Sequence, residues 1–199
     1  TISYANATTP VVVNLSTAAI SGGTLGPVAA GRSAGGAGVD TLSNVENVIG
    51  GNGNDIIAGS AAANALTGGL GDDNLTGDAG NDTLSGGAGN DTLSGGAGND
   101  SLLGGGDDDR FLLALGNDTA TGGAGRDTFL ADLSLAGLHR ITDFAANADH
   151  LELTLRAGLN WDSLRATARI EGGSLILGDS YAALALVGIT STATLNALT

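Results

Sequence analysis

Aspartate recurs at every ninth residue through the middle of the chain. From Gly50 to Leu130 the sequence divides without insertion into nine nonapeptides: GGNGNDIIA, GSAAANALT, GGLGDDNLT, GDAGNDTLS, GGAGNDTLS, GGAGNDSLL, GGGDDDRFL, LALGNDTAT and GGAGRDTFL. Eight of the nine carry Asp at position six, and the exception is Asn64. Carboxylates at so regular an interval predict a row of oxygen ligands for hard cations.

The charge of this segment requires a counterion. Residues 50–130 hold twelve Asp and two Arg, which gives −10 of the chain's formal charge of −14. Carboxylates stacked at a strand spacing of ~5 Å repel one another by several kcal/mol at an effective dielectric of ~20. Ca²⁺ accepts irregular shells of carboxylate and glycine carbonyl oxygens better than Mg²⁺ does, and zinc would need the His or Cys that the repeats lack. The residues therefore favour calcium.

The rest of each nonapeptide predicts a solenoid. Position eight is always apolar, and the glycine-rich first half suits positive backbone φ while the second half suits a short strand. Two nonapeptides make one coil, so the apolar residues form two stacks: Ile57, Leu75, Leu93, Phe111 and Phe129 on one sheet, and Leu66, Leu84, Leu102 and Ala120 on the other. We expect an all-β fold, a parallel β-roll that is a right-handed β-solenoid with a C-terminal antiparallel β cap. A flexible linker would need no such apolar period.

The flanking segments follow other patterns and divide the chain into residues 1–49, 50–130 and 131–199. In the first part Ile2, Tyr4, Val11, Val13 and Leu15 alternate as strands do, and residues 35–43 (GGAGVDTLS) match the nonapeptide out of phase, which predicts a lead-in coil. In the last part we predict strands at 140–144, 151–153, 174–177 and 181–187, a helix at 160–169 capped by Asn160, and a hairpin turn at Gly172–Gly173.

Composition excludes several classes of function. A charge of −14 without any Lys argues against nucleic acid, and the absence of Cys excludes disulfides and thiol catalysis. The longest apolar stretch, 181–189, is shorter than the ~20 residues of a membrane span. There is no HExxH or nucleophile-elbow motif, so we predict no enzymatic activity in this chain, and His139 and His150 are predicted to have surface or packing roles. The opening residues lack a secretory signal, and we expect the chain to be part of a longer protein.

The repeats GGNGNDIIA, GGAGNDTLS and GGAGRDTFL resemble the GGxGxDxUx motif of the RTX (repeats-in-toxin) family, a known Ca²⁺-binding repeat. DTLSNVENVIG before them resembles the segment that precedes many RTX arrays, and ITDFAANADHLEL after them resembles the C-terminal cap of type I secreted enzymes such as serralysin-type proteases. The resemblance implies a secreted or cell-surface protein, exported by the type I secretion machinery through an uncleaved signal in the C-terminal region. Any catalytic domain would lie elsewhere in the parent protein.

The resemblance also implies the ligands of each ion. Calcium would lie between loops 18 residues apart, the earlier loop giving carbonyls at positions two and four and its Asp, the later one giving carbonyls at positions one and three and its Asp. One side would hold four sites: Gly51, Gly53, Asp55 with Gly68, Leu70, Asp73; Gly69, Gly71, Asp73 with Gly86, Ala88, Asp91; Gly87, Gly89, Asp91 with Gly104, Gly106, Asp109; and Gly105, Asp107, Asp109 with Gly122, Ala124, Asp127. The other side would hold two: Asp78, Gly80, Asp82 with Gly95, Ala97, Asp100; and Gly96, Gly98, Asp100 with Leu113, Leu115, Asp118.

Three departures from the motif modify this expectation. Asn64 removes a charge, so a site that pairs it with Asp82 would be weak or empty. Asp107 stands where Gly is usual, although Asp tolerates positive φ better than most residues. Leu113 to Leu115 replace Gly-Gly-X, which weakens the last site on that side. We expect five to seven calcium ions.

Three functions remain open at this point. The first is a non-catalytic roll that folds on binding Ca²⁺ outside the cell and supports type I secretion and folding of its parent protein. The second is a structural S-layer or adhesin domain that assembles with identical subunits when calcium is present. The third is a polysaccharide-contacting module of an exoenzyme such as an alginate epimerase or protease.

Overall fold

The computed structural model describes residues 1–4, 7, 10–15, 20–21, 27–28, 32–35, 38–41, 46–145, 148–155, 169–171, 174–178 and 182–187. This part of the chain forms strands and no helix, and so none that could cross a membrane. The strands are β1 Ile2–Ser3, β2 Val12–Asn14, β3 Ile20–Ser21, β4 Pro27–Val28, β5 Arg32–Gly35, β6 Gly38–Thr41, β7 Asn47–Gly51, β8 Ile56–Ser60, β9 Ala65–Leu70, β10 Asn74–Asp78, β11 Thr83–Ala88, β12 Thr92–Ser94, β13 Ser101–Gly106, β14 Arg110–Leu113, β15 Thr119–Ala124, β16 Thr128–Asp132, β17 Gly137–Ile141, β18 His150–Thr154, β19 Arg169–Glu171, β20 Ser174–Gly178 and β21 Ala182–Val187.

From β7 to β18 consecutive strands lie in opposite sheets, which makes the fold a parallel β-solenoid of about six turns. One sheet has the order β1-β7-β9-β11-β13-β15-β17-β21-β20-β19, and the other has the order β18-β16-β14-β12-β10-β8-β2-β5-β6. A separate pair is β3-β4. The parallel β-roll predicted from the nonapeptides is confirmed.

The core lies between the two sheets and is built from position eight. The two predicted stacks are present, because Leu75 pairs with Ile57 and Leu93 on one sheet while Leu84 pairs with Leu66 and Leu102 on the other. All nine position-eight side chains are at most 1 % exposed. Burial of one such Leu contributes about 1.5–3 kcal/mol, so the stack supplies the apolar stabilisation that the loops lack.

The roll continues beyond the nonapeptides at its C-terminal end. β17 and β18 add parallel strands, with Arg140 opposite Thr119 and His150 opposite Thr128. The antiparallel cap expected for residues 131–199 is thus only partly correct: β21 runs parallel to β17, and antiparallel pairing is confined to β19, β20 and β21. The strand predicted at 140–144 begins earlier, at Gly137. Residues 160–168 of the helix predicted at 160–169, and the turn at Gly172–Gly173, lie outside the described residues. The last residue of that predicted helix, Arg169, begins strand β19 instead.

The N-terminal end differs from the predicted lead-in coil. β2 joins β8 in parallel, and Val11, Val12 and Val13 are all buried. Within the segment 35–43, β6 instead pairs antiparallel with β5, which pairs antiparallel with β2. The GGAGVDTLS match lies 15 residues before Gly50, out of step with the 18-residue coil, so it does not stack as a further parallel turn.

Candidate metal centre

The position-six aspartates form two rows along the edges of the roll. We name them the Asp55 ladder (Asp55, Asp73, Asp91, Asp109, Asp127) and the Asp82 ladder (Asp82, Asp100, Asp118). In each ladder Oδ1 accepts the main-chain N–H of the residue one coil earlier, for example Asp55 N to Asp73 Oδ1 at 2.7 Å and Asp82 N to Asp100 Oδ1 at 2.8 Å. These side chains are all at most 3 % exposed. Parallel strand pairing at 18-residue spacing brings the carboxylates together.

The second oxygen of most ladder residues is left without a partner. Oδ2 is buried and makes no hydrogen bond to any described residue in six aspartates: Asp55, Asp73, Asp82, Asp91, Asp100 and Asp109. Each belongs to the earlier loop of one of the six sites expected from the sequence. A buried carboxylate oxygen without a donor or cation costs several kcal/mol, so these atoms indicate a ligand.

Burial also acts on the protonation of these carboxyls. Desolvation, reinforced by neighbouring carboxylates, raises the pKa of Asp73 and Asp109 to about 7. Desolvation also raises the pKa of Asp91 and Asp100 to about 6 and shifts the pKa of Asp55, Asp82 and Asp127 upward. Without a cation, the roll therefore disfavours the charged carboxylates that it buries.

Main-chain carbonyls face the same spaces from both neighbouring coils. At positions two and four the oxygens of Gly69 and Gly71 point to the next coil, towards Gly87 and Gly89. At position three the oxygens point back, since Ala88 O accepts from Gly71 N at 2.8 Å and Ala97 O accepts from Gly80 N at 2.9 Å. At position one, Gly68 O and Asp55 Oδ2 border the same point beside Gly50, as do Gly95 O and Asp82 Oδ2 beside Gly77.

Glycine at position one is required by this arrangement. A Cβ on Gly50, Gly68, Gly77, Gly86 or Gly95 would collide with Oδ2 of the Asp five residues later. Most glycines at positions two and four have positive φ, and Asp78 and Asp107 adopt it at 81° and 74° in place of glycine. The conformation anticipated for Asp107 is therefore the one observed, at a residue type that tolerates it.

The donor set fits a hard dication. The oxygens that meet at these spaces are carboxylate and main-chain carbonyl oxygens, which are the ligands that Ca²⁺ takes in proteins. No group of three or more His, Asp or Glu side chains suited to a metal occurs in the described part of the chain. A site with two carboxylates and several main-chain carbonyls would not form such a group, because most of its oxygens are main-chain atoms.

Comparison with known families decides the assignment of the repeats. A profile of the RTX calcium-binding nonapeptide repeat matches in four copies, at residues 49–84, 76–111, 85–120 and 104–133. The repeat segment belongs to the RTX family. Among solved structures, the chain is similar to the extracellular lipase LipA from Serratia marcescens, with 18 % identity and a TM-score of 0.36 over 78 % of this chain. It spans 40 % of that lipase's length, and no curated protein matches it.

The departures from the RTX motif have visible structural consequences. Asn64 accepts from Ser60 N with its amide oxygen at 2.7 Å and donates from Nδ2 to Glu46 O at 3.1 Å, so its side-chain oxygen has a partner. Leu113 is buried and Leu115 exposed, yet Leu115 O still accepts from Gly98 N at 2.9 Å. The loop with Leu in place of Gly therefore follows the RTX path.

A second row of side chains supports the RTX loops at position five and was not predicted. Here the side-chain oxygen accepts the N–H of the following coil: Asn54 to Asp72, Asp72 to Asn90, Asn90 to Asp108 and Asp108 to Arg126, at 2.8–3.0 Å. On the other edge Asn81, Asn99 and Asn117 do the same. The signal was visible in the sequence, because position five is Asn or Asp in seven of the nine nonapeptides.

The C-terminal ends of the ladders use residues outside the RTX motif. Asp149 follows Asp127, with Oδ1 accepting Asp127 N at 3.1 Å and Oδ2 accepting Ala145 N at 2.7 Å. Asp143 accepts the N–H groups of Gly122 and Gly123, both at 2.9 Å. His139, predicted to lie at the surface or in packing, is buried beside Asp118, whereas His150 is exposed. Both of these Asp side chains have both oxygens bonded, unlike the six ladder residues above.

Proposed function

We propose that this chain is a non-catalytic calcium-binding module that folds when Ca²⁺ fills the spaces between consecutive ladder residues, six ions in all. The observation that supports the proposal is the set of six buried Oδ2 atoms that have no hydrogen-bond partner in the described part of the chain, one for each expected site. The Asp55 ladder would hold four ions and the Asp82 ladder two. Bound calcium would supply charge neutralisation, and the chain's own residues would supply the oxygens and their spacing.

Folding would then depend on calcium concentration. The formal charge of −10 over residues 50–130 and the many glycines both oppose folding in the absence of a cation. Binding free energy adds directly to folding free energy when only the folded state has the site. Extracellular modules bind Ca²⁺ at about 10⁻⁴ to 10⁻³ M, so the chain would remain unfolded in a calcium-poor cytosol and fold outside.

This behaviour suits export through a type I secretion machinery, which passes an unfolded chain. We propose that the module is secreted or displayed at the cell surface and supports the secretion and folding of a larger parent protein. Export of a fusion between a passive reporter and this chain, in cells with a type I exporter, tests that role. Folded reporter should accumulate in medium with calcium, and equal export of a fusion without the module would refute the role.

Circular dichroism during a calcium titration tests the folding step. We expect a cooperative transition from coil to β structure with Ca²⁺ and none with Mg²⁺ at equal concentration, reversed by chelator. Light scattering in the same samples distinguishes a monomeric module from an S-layer or adhesin domain that assembles with identical subunits when calcium is present. Binding of a polysaccharide by the calcium-loaded monomer would instead support the polysaccharide-contacting module of an exoenzyme. Full β structure in excess chelator at neutral pH would refute the proposal.

A further inference from the structure

The Asp82 ladder is followed by a histidine in the next coil. β17 pairs with β15 so that Arg140 lies opposite Thr119, which places His139 in register with Asp118. Arg140 N donates to Asp118 O at 2.8 Å, as Thr119 N donates to Asp100 O at 2.8 Å one coil earlier. His139 therefore holds position six of this coil, although 21 residues rather than 18 separate it from Asp118.

The loop before His139 keeps the path of the calcium-site loops. Ala136 O accepts from Gly116 N at 3.3 Å, as Leu115 O accepts from Gly98 N at 2.9 Å. Gly137 has a φ of +151° and lies against Gly116 O, as Gly116 lies against Gly98 O. The main chain thus repeats the arrangement of the ladder, and the change is in the side chain at position six.

The imidazole of His139 faces Oδ2 of Asp118, whereas Oδ2 of Asp82 and Asp100 in the same ladder has no hydrogen-bond partner among the described residues. His139 is 1 % exposed, and its Nδ1 is 3.2 Å from Asp118 Oδ2. No aligned hydrogen-bond partner exists for this Nδ1 among the described residues, which leaves the carboxylate as the group that it faces. Asp118 Oδ1 already accepts from Asp100 N at 3.1 Å, so protein atoms contact both of its oxygens.

We propose that His139 takes the place of a calcium ion beyond Asp118 and so closes the Asp82 ladder. The inference rests on the proposed function, because it assigns where calcium binding stops. An imidazole nitrogen is a poor ligand for a hard cation such as Ca²⁺, which takes oxygen ligands. An imidazole N–H facing Oδ2 offers the electropositive partner that an ion provides in the earlier coils. The space between Asp118 and the coil of His139 therefore takes no calcium.

Conversion of His139 to aspartate tests the inference by gain of a site. The H139D chain would carry carboxylates at position six of both coils, with the Gly116 and Ala136 carbonyls in place. At saturating Ca²⁺ we expect it to bind one calcium ion more per chain than the unsubstituted chain binds, counted by equilibrium dialysis and elemental analysis. The control is H150D, which adds the same carboxylate at an exposed histidine of the other sheet and should leave the count unchanged.

Two results separate the possible failures. If the unsubstituted chain binds no calcium, the proposed function is refuted. If the unsubstituted chain binds calcium and a folded H139D chain gains no ion, the role of His139 is refuted. If H139D does not fold, ¹⁵N NMR of the calcium-loaded unsubstituted chain tests the role of His139. A hydrogen-bonded Nδ1–H on His139 is expected, and a metal-bound imidazole nitrogen or an ion located between Asp118 and His139 would overturn the inference.

Discussion

The main-chain N–H of Asp73 donates to Oδ1 of Asp91, 2.8 Å away in the next coil, and both carboxylates belong to the same buried ladder. Each ladder carboxylate thus fixes the backbone of the coil before it with one oxygen, and in six of the eight the other oxygen has no hydrogen-bond partner among the described residues. Under the proposed function, a single residue type would link the stacking of the coils to the binding of cations. In the proposed set of sites Asp91 would be a ligand in two neighbouring sites, whereas Asp127 would be a ligand in one.

Replacement of Asp91 by Ala should therefore affect calcium binding more than replacement of Asp127 by Ala. Loss of a charged hydrogen-bond acceptor costs about 1.5–3 kcal/mol, and at Asp91 it removes a ligand from two sites as well. We expect a larger rise in the calcium midpoint and a lower Hill coefficient for D91A, measured by circular dichroism during titration. Equal effects of the two substitutions would contradict ligand sharing.

Replacement of Leu93 by Asp should prevent folding even at saturating calcium. Leu93 is fully buried between the sheets, and an unpaired carboxylate there would cost several kcal/mol. The matched control is L103D, because Leu103 is 45 % exposed and can keep its charge in water. Circular dichroism of both variants in excess calcium checks the prediction. A well-folded L93D chain would show that position eight is not the core.

Replacement of Gly95 by Ala should weaken both folding and calcium binding. The added Cβ would collide with Asp100 Oδ2, and such overpacking costs about 1–3 kcal/mol. At Gly106 an added Cβ meets nothing within 4 Å, so G106A should stay within about 0.5 kcal/mol of the parent. Denaturant unfolding of the calcium-loaded chains measures the free energy of unfolding of the two variants. Equal stability of the two variants would show that position one is not constrained by the carboxylate.

Replacement of Asn90 by Ala should lower stability by about 1 kcal/mol without a change in the number of bound ions. Its Oδ1 accepts the N–H of Asp108 at 2.9 Å on the outer face of the loop, away from the unpartnered ladder oxygens. N90D should restore stability, because Asp72 fills the equivalent position one coil earlier and accepts from Asn90 N. Thermal unfolding and ion counting together check this, and a lost ion in N90A would contradict it.

The pH dependence of the calcium-free chain should be the reverse of that of most acidic proteins. Burial raises the pKa of Asp73 and Asp109 to about 7 and of Asp91 and Asp100 to about 6, above the ordinary pKa of an unfolded Asp near 3.9. The folded chain then binds more protons than the unfolded chain, so its stability is greatest below pH ~4 and falls as pH rises through 6 to 7.

In chelator, β structure should therefore increase when the pH is lowered from 8 to 5, as measured by circular dichroism. Calcium removes this dependence at high pH because it stabilises the same carboxylates in their charged form. At low pH, protons compete with calcium, and the calcium midpoint should rise. A chelated chain whose β content is lower at pH 5 than at pH 8 would contradict the buried position of the ladder carboxylates.

Much of the roll follows from the nine-residue period alone. The apolar residue at position eight predicts the two stacks. Leu75 pairs with Ile57 and Leu84 pairs with Leu66, so each lies in the stack to which the period assigns it. The sequence also predicts that a site pairing Asn64 with Asp82 would be weak or empty, because an amide lacks a charge. Its bonds to Ser60 and Glu46 show how the local chain compensates.

The remaining features depend on contacts that no period encodes. Asn90 looks like an ordinary solvent-exposed polar residue until the coil spacing brings its oxygen to the next coil. β17 and β18 join the roll at offsets of 21 and 22 residues, from Thr119 to Arg140 and from Thr128 to His150, so the repeat pattern does not reveal them. The location of His139 depends on that same offset, which is why a buried role beside Asp118 was not predicted.

Anomalous diffraction from crystals of the calcium-loaded chain tests the central claim most directly. The claim is that the buried carboxylate ladders hold calcium between consecutive coils. We predict six anomalous calcium peaks, four between neighbouring residues of the Asp55 ladder and two within the Asp82 ladder, each within bonding distance of an Oδ2 atom that has no protein partner. Ladders without peaks at saturating calcium, with ions bound only to exposed carboxylates such as Asp72, would contradict it.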